Sequence, residues 1–211
     1  AIEDGERSEF EGTLEYVAAR WREADRGTLR HAFPLLARGR PVAPESLAER
    51  AGVSVAMADT AMRSGPLGLD ADGALSELFG VMQAPTLHRV EVEGRAGFTC
   101  CAVVAHTLPA LVDQAVTVES VDPLSRRVIK LRLSPRFHRA SPAFDGSRLF
   151  PDDAPNADLA GVRDAFCSHI KHFADRASAQ EFAALNSRRQ VVSVVELHAL
   201  ARQLVSRIWS D

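Results

Sequence analysis

Cysteine is scarce in this chain of 211 residues: there are three. That number excludes a disulfide scaffold. It also excludes a four-thiolate zinc site unless histidines contribute. Lysine is scarcer still, since the 25 basic residues comprise 23 arginines and only Lys130 and Lys171. That bias is read as genome composition, and no function is placed on it. No stretch of 18 uninterrupted apolar residues occurs, which excludes a membrane-spanning helix. The segment Ala1–Glu6 is acidic and lacks the apolar core of a secretory signal. The expected compartment is therefore a reducing cytoplasm, with all three cysteines as thiols. Internal repeats and low-complexity tracts are absent. What is present is ordinary for a globular protein: 46% hydrophobic residues, 25% charged residues and a net charge of −3. The length suits one large domain or two small ones.

Periodicity divides the chain near residue 85. Apolar residues Phe10, Leu14, Val17, Ala18 and Trp21 recur at helical spacing from Glu6 to Arg26. Thr28 is the expected cap of a second helix running to Arg38. A short helix through Leu47 and Ala48 then ends at Gly52, and Ser54 caps another. A helix, a glycine turn and a second helix form the helix-turn-helix pattern. Leu67 to Val81, turning at Asp72-Gly73, supplies a hairpin. Residues 1–85 thus read as a winged-helix-like domain. Residues 1–86 hold nine Arg and no Lys against fourteen acidic residues. A DNA reader presents a basic face to phosphates. The unit is therefore read as a packing scaffold, and nucleic acid is not expected as a partner.

Residues 86–211 read as a mixed α+β domain, giving an α+β fold class overall. His88–Glu93 alternates like a strand. Phe98–Ala105 fits a strand or a buried helix, and Pro109 is expected to begin a short helix. Val116–Val121 and Arg127–Leu133 read as strands around a turn at Asp122–Ser125. Ser134–Pro155, rich in proline, reads as a long loop. Helices are expected at Asp158–Ser168 and from a Ser178 cap with Glu181. A strand at Gln190–Val195 and a helix to Trp209 close the chain.

The cysteines carry the chemistry. Cys100 and Cys101 are adjacent, and Cys167 stands in Cys167-x-His169-x-x-His172. Distant thiols at element ends can converge, and paired thiolates favour soft ions such as Hg(II), Cu(I) or Zn(II). On a helix His169 and His172 share a face and join Cys101 as candidate ligands. The competing reading is that these cysteines are small buried hydrophobes.

Several segments resemble the organomercurial (alkylmercury) lyases. They are the strand into Cys101-Ala102, Leu108-Pro109-Ala110-Leu111, Val162-Arg163 before Phe166-Cys167-x-His169, Gln190–Val194 with Glu196 and Ala199, and Leu35–Val42. The resemblance spans about residues 28–205 and implies protonolysis of carbon–mercury bonds to a hydrocarbon and Hg(II). No cofactor is then required, the substrate is a small organometallic compound, and the ion passes to mercuric reductase. It implies Cys101 and Cys167 as catalytic and mercury-binding residues, with Cys100 and His169 as further ligands. The family's aspartate, three residues past the first cysteine, is here Val104. Cys100, His106 and Asp122 are the candidates to replace that acid. The alternatives are a diverged member that binds Hg(II), Cu or Zn through thiolates, a metal-responsive regulator, and a scaffold recruited to another reaction.

Overall fold

Alternation of apolar and polar side chains builds most of the architecture. The structure, a computed structural model, describes Glu15 and residues 17–135, 138–140, 144–148, 170–185 and 190–209. Eight strands form one antiparallel sheet: β1 (Leu67–Leu69), β2 (Leu75–Leu78), β3 (Val81–Met82), β4 (His88–Val92), β5 (Arg95–Thr99), β6 (Val116–Val121), β7 (Val128–Leu133) and β8 (His138–Ala140). Their spatial order is β1-β2-β3-β5-β4-β6-β7-β8. One face is buried: His88, Val90 and Val92 in β4, Val116, Val118 and Ser120 in β6, and Ile129, Leu131 and Leu133 in β7. The register pairs His88 with Ser120 and Val118 with Leu131. A one-residue slip would turn that whole set to solvent. The opposite face carries the Arg89–Glu91 and Lys130–Glu119 ion pairs. A smaller antiparallel sheet has the order β10-β9-β11, from β9 (Phe144–Arg148), β10 (His172–Phe173) and β11 (Gln190–Ser193).

Among the described residues, after a helical stretch at Glu15 and 17–20, come α1 (Arg26–Leu29), α2 (Phe33–Leu36), α3 (Pro44–Ala51), α4 (Val55–Ala61), α5 (Ala102–Val112), α6 (Arg176–Ala184) and α7 (Val194–Trp209). At α3 and α4 two helices are joined by a turn at Gly52. Gly52 ends α3 in the left-handed region at φ 68°, and the Ser54 side chain accepts from the Met57 N–H. The outer side of α4 exposes Val55 and Met57, and Arg63 beyond it is paired with Asp59. The β1–β2 hairpin forms as expected, its turn held by Asp70 Oδ1 accepting from Asp72 and Ala74. It is not a free wing. β2 continues into β3, and β3 pairs with β5, so the expected boundary near residue 85 runs through a continuous sheet. Gly39 (φ 73°) brings the helical part against β5, where a Cβ would lie 2.0 Å from the Ala96 carbonyl oxygen.

Other boundaries differ from expectation. The first helix is helical at Glu15 and 17–20 and gives way to a turn at Trp21; its earlier part lies outside the described residues. Asp25, not Thr28, caps the next helix, accepting from the Thr28 N–H, and a 3₁₀ turn at Arg30–Ala32 separates α1 from α2. Pro109 lies inside α5 instead of starting a helix. Its ring costs one intrahelical bond, tolerated near the last turn of a packed helix. Two strands, β8 and β9, fall within the segment read as a loop. Asp175, rather than Ser178, caps α6. The Asp158–Ser168 helix lies outside the described residues.

The two ends of the chain meet in one core. Trp209 on α7 packs against Trp21, Phe33 and Phe79 at centroid distances of 5.2, 4.9 and 5.8 Å. Arg26 donates to the Ile208 carbonyl at 2.7 Å. Asp122 closes the β6–β7 turn: Oδ1 accepts from the N–H groups of Leu124 and Ser125, and Oδ2 from that of Ala174 beside β10. Burial alone would raise its pKa. The hydrogen bonds from Ala174, Ser125 and Leu124 outweigh it and hold the carboxyl below its ordinary value.

Two outcomes follow from this packing. Trp209→Ala should cost about 3–5 kcal/mol of stability in denaturant unfolding, the range for a buried aromatic cut to alanine. The lowered Asp122 carboxyl contributes stability that is present above its unfolded pKa, near 3.8, and lost as pH falls through the folded value. Asp122→Asn should therefore lose about 1–3 kcal/mol at neutral pH. Its unfolding free energy should also fall less steeply than the parent's below about pH 4.

Candidate functional site

β5 delivers the cysteine pair to the start of α5. Cys101 is the N-cap, fully buried, in extended backbone at φ −154° and ψ 170°, and its side chain makes no capping bond. Cys100 is half-buried, and its N–H donates to the Gly80 carbonyl at 2.8 Å. Gly80 (φ 75°) must be a glycine here, because a Cβ would stand 2.5 Å from Cys100 Sγ and 3.1 Å from Val104 Cγ2. The two sulfurs are 3.7 Å apart, and both cysteines are thiols rather than disulfides. Neighbours in extended chain point to opposite sides, yet the corner into α5 keeps these sulfurs close.

The frame around Cys101 is polar backbone. Thr99 Oγ1 donates to the Cys101 carbonyl at 3.2 Å, and Thr86 Oγ1 donates to the Thr99 carbonyl at 2.6 Å. The Ala102 N–H, the first of α5, donates to the Ile170 carbonyl at 3.1 Å. This last bond docks the segment that follows Cys167 onto the helix start. Cys167 and His169 themselves lie outside the described residues. Val104, one turn into α5, is buried against Gly80 and offers no proton. Asp122 spends its carboxylate on three backbone N–H groups. Among the described residues no group of three or more His, Cys, Asp or Glu is arranged to hold a metal ion.

His106 has a different setting from the one expected. It belongs to a buried chain drawn from five elements. His88 Nδ1 (β4) lies 2.8 Å from Ser120 Oγ (β6), which lies 2.8 Å from His172 Nδ1 (β10). His172 Nε2 is 3.1 Å from His106 Nε2 (α5), and His106 Nδ1 is 3.3 Å from His198 Nδ1 (α7). All five residues are buried. His172 sits on a strand, not on the helix expected to align it with His169, and both its nitrogens face this chain. Desolvation lowers the His172 pKa to about 3. Desolvation, with repulsion from His172 and Lys171, holds His88 well below the ordinary imidazole value. These two rings are therefore neutral at physiological pH, and in a neutral ring one nitrogen donates while the other accepts.

His88 Nε2 is buried with no hydrogen-bond partner. Such a nitrogen costs about 1–3 kcal/mol and calls for a reason. Sequence reading passed over His88, Ser120 and His198. Parity along β4 and β6 places His88 with Val90 and Ser120 with Val118, so a polar residue on the inner face was the available signal. His198 likewise follows Leu197 on the apolar side of α7.

The alkylmercury lyase family model, MerB, matches residues 82–206. An alkylmercury lyase of Staphylococcus epidermidis is 27% identical over 180 residues, 84% of this chain and 81% of that protein. One from Pseudomonas putida is 29% identical over 179 residues, 83% of this chain and 82% of its own length. The crystal structure of the mercury-bound form of MerB2 superposes with a TM-score of 0.70 at 16% identity, covering 95% of this chain and 99% of that one. It shares the α+β fold. With the family model spanning more than half of its length, this chain belongs to the alkylmercury lyase family.

Proposed function

We propose that the protein is an organomercurial lyase-like enzyme that cleaves carbon–mercury bonds by thiolate-assisted protonolysis. The observation that carries this reading is Cys101, a buried thiol at the amino end of α5 inside the family-matched segment. A thiolate there meets the positive end of the helix dipole and is the form that attacks a soft metal. In the first step the Cys101 sulfur displaces the substrate's labile ligand and forms an S–Hg bond. Cys167 adds a second sulfur, which weakens the C–Hg bond. A proton then reaches the carbon, the C–Hg electron pair becomes the C–H bond, and Hg(II) stays on the sulfurs. Cys100, 3.7 Å from Cys101, is placed to take part in holding the ion, and His169 is a further ligand candidate. The reaction needs no cofactor. The product ion would leave by thiol exchange to a mercuric reductase in a reducing cytoplasm.

A second reading rests on Val104. Without the family's aspartate, the thiols would bind Hg(II), Cu or Zn stoichiometrically and break no bond.

Incubation of the reduced protein with phenylmercuric acetate and excess thiol, with benzene measured by gas chromatography, separates the two. The lyase reading expects catalytic benzene release that Cys101→Ser abolishes to the buffer background. One-to-one phenylmercury binding with no benzene from the parent protein would leave only the second reading.

A further inference from the structure

The adjacent cysteines make a pair of their own. Their sulfurs are 3.7 Å apart, and both are thiols. Side chains of neighbours in extended backbone point to opposite sides, so the corner between β5 and α5 creates this approach. Metal–sulfur bonds of about 2.3 Å put two sulfurs about 4.6 Å apart in a linear S–M–S arrangement and about 3.8 Å apart at a tetrahedral angle. The observed separation matches the bent arrangement and is too short for linear Hg(II).

Zn(II) and trivalent arsenic both hold two sulfurs at a bent angle. Zn(II) needs four ligands, and among the described residues no group of three or more His, Cys, Asp or Glu is arranged to hold an ion. A monosubstituted trivalent arsenical, with one carbon and two hydroxyls on a pyramidal arsenic, needs only two sulfurs. We propose that Cys100 and Cys101 form a chelating dithiol site for monosubstituted trivalent arsenicals. The second sulfur of this site is Cys100, where the lyase reading uses Cys167, so the two assignments stand or fall separately.

The backbone holds the pair ready for chelation. The Cys100 N–H donates to the Gly80 carbonyl at 2.8 Å, and the Ala102 N–H to the Ile170 carbonyl at 3.1 Å. Thr99 Oγ1 donates to the Cys101 carbonyl at 3.2 Å. Closing a chelate on a chain already fixed at each of these points orders little more of it, which favours binding. Position 80 adds room. A Cβ there would stand 2.5 Å from Cys100 Sγ, so glycine leaves that sulfur uncrowded. Exposure sets the order of events, because Cys100 is half-buried and Cys101 fully buried. The arsenical exchanges its first hydroxyl at Cys100 and its second at Cys101. Two As–O bonds break and two As–S bonds form. Each thiol proton leaves with a hydroxyl as water, and arsenic stays trivalent, so no oxidant or reductant takes part.

The test titrates the reduced full chain with phenylarsine oxide in the presence of excess mercaptoethanol and counts bound phenylarsenic by intact-protein mass spectrometry. The dithiol site expects one phenylarsenic per chain, held against the monothiol and released by dithiothreitol, itself a dithiol. Cys100→Ser and Cys101→Ser should each weaken binding by about 10²-fold or more, the gain expected when a second binding event becomes intramolecular. Cys100→Ser, at the half-buried position, keeps the test valid should Cys101→Ser fail to fold. Cys167→Ser should bind as the parent does. Parent-like binding by Cys100→Ser, loss of binding in Cys167→Ser, or no monothiol-resistant adduct in the parent would each overturn the assignment and leave the lyase reading standing. A parent that releases no benzene from phenylmercuric acetate but holds phenylarsenic on Cys100 and Cys101 would support the dithiol site while the lyase reading fails.

Discussion

The structure depends on the burial of the first two turns of α5. Residues Ala102 to Pro109 are all buried, so this part of the helix presents no face to solvent and is held by packing between the large sheet and α7. Burial of that kind contributes about 25 cal/mol for each Å² of apolar surface removed from water. It also sets conditions on its neighbours. The amino end of α5 cannot be hydrated, and the Ile170 carbonyl meets the first N–H there. The cap position is left to a thiol whose side chain makes no capping bond. The same packing makes Cys101 both buried and uncommitted as a cap.

An imidazole on such a helix must find partners inside the protein. His106 finds two, and each of those is itself buried, so the requirement propagates through His172 and Ser120 until it reaches His88. A half-satisfied network is worse than an apolar core, and replacing the set with aliphatic residues would be the cheaper way to hold the layers together. The chain nevertheless joins β4, β6, β10, α5 and α7.

The parts legible in the sequence were those governed by local rules. Strand parity marked β4, β6 and β7, because one buried face forces period-two alternation. Gly52 and Ser54 marked the ends of α3 and α4, because a left-handed residue and a side-chain cap are local needs. What was not legible depended on distant partners. Pro109 looked like a helix start, since nothing nearby reveals that α5 is held by its surroundings rather than by its own hydrogen bonds. The Asp72-Gly73 hairpin looked like a wing, since β3 pairing with β5 joins segments on either side of the assumed boundary. At the site, the Cys101 motif stood out through family resemblance. Asp122 looked like a spare acid, but its three backbone donors come from a turn and from the residue after β10, 52 positions away. The histidine chain spans residues 88 to 198, and no window of sequence contains it.

Val104 and the histidine chain answer the same constraint, a core that penalises unpaired charge. A carboxylate at position 104 would stand against Gly80 and the cysteine pair, in surroundings that penalise fixed charge. It would have to alternate between ionised and neutral forms at that spot. Valine keeps the first turn of α5 dry, and in such surroundings charges attract more strongly than in water. The same burial that excludes a resident charge at position 104 turns the buried imidazoles and Ser120 toward one another as hydrogen-bond partners.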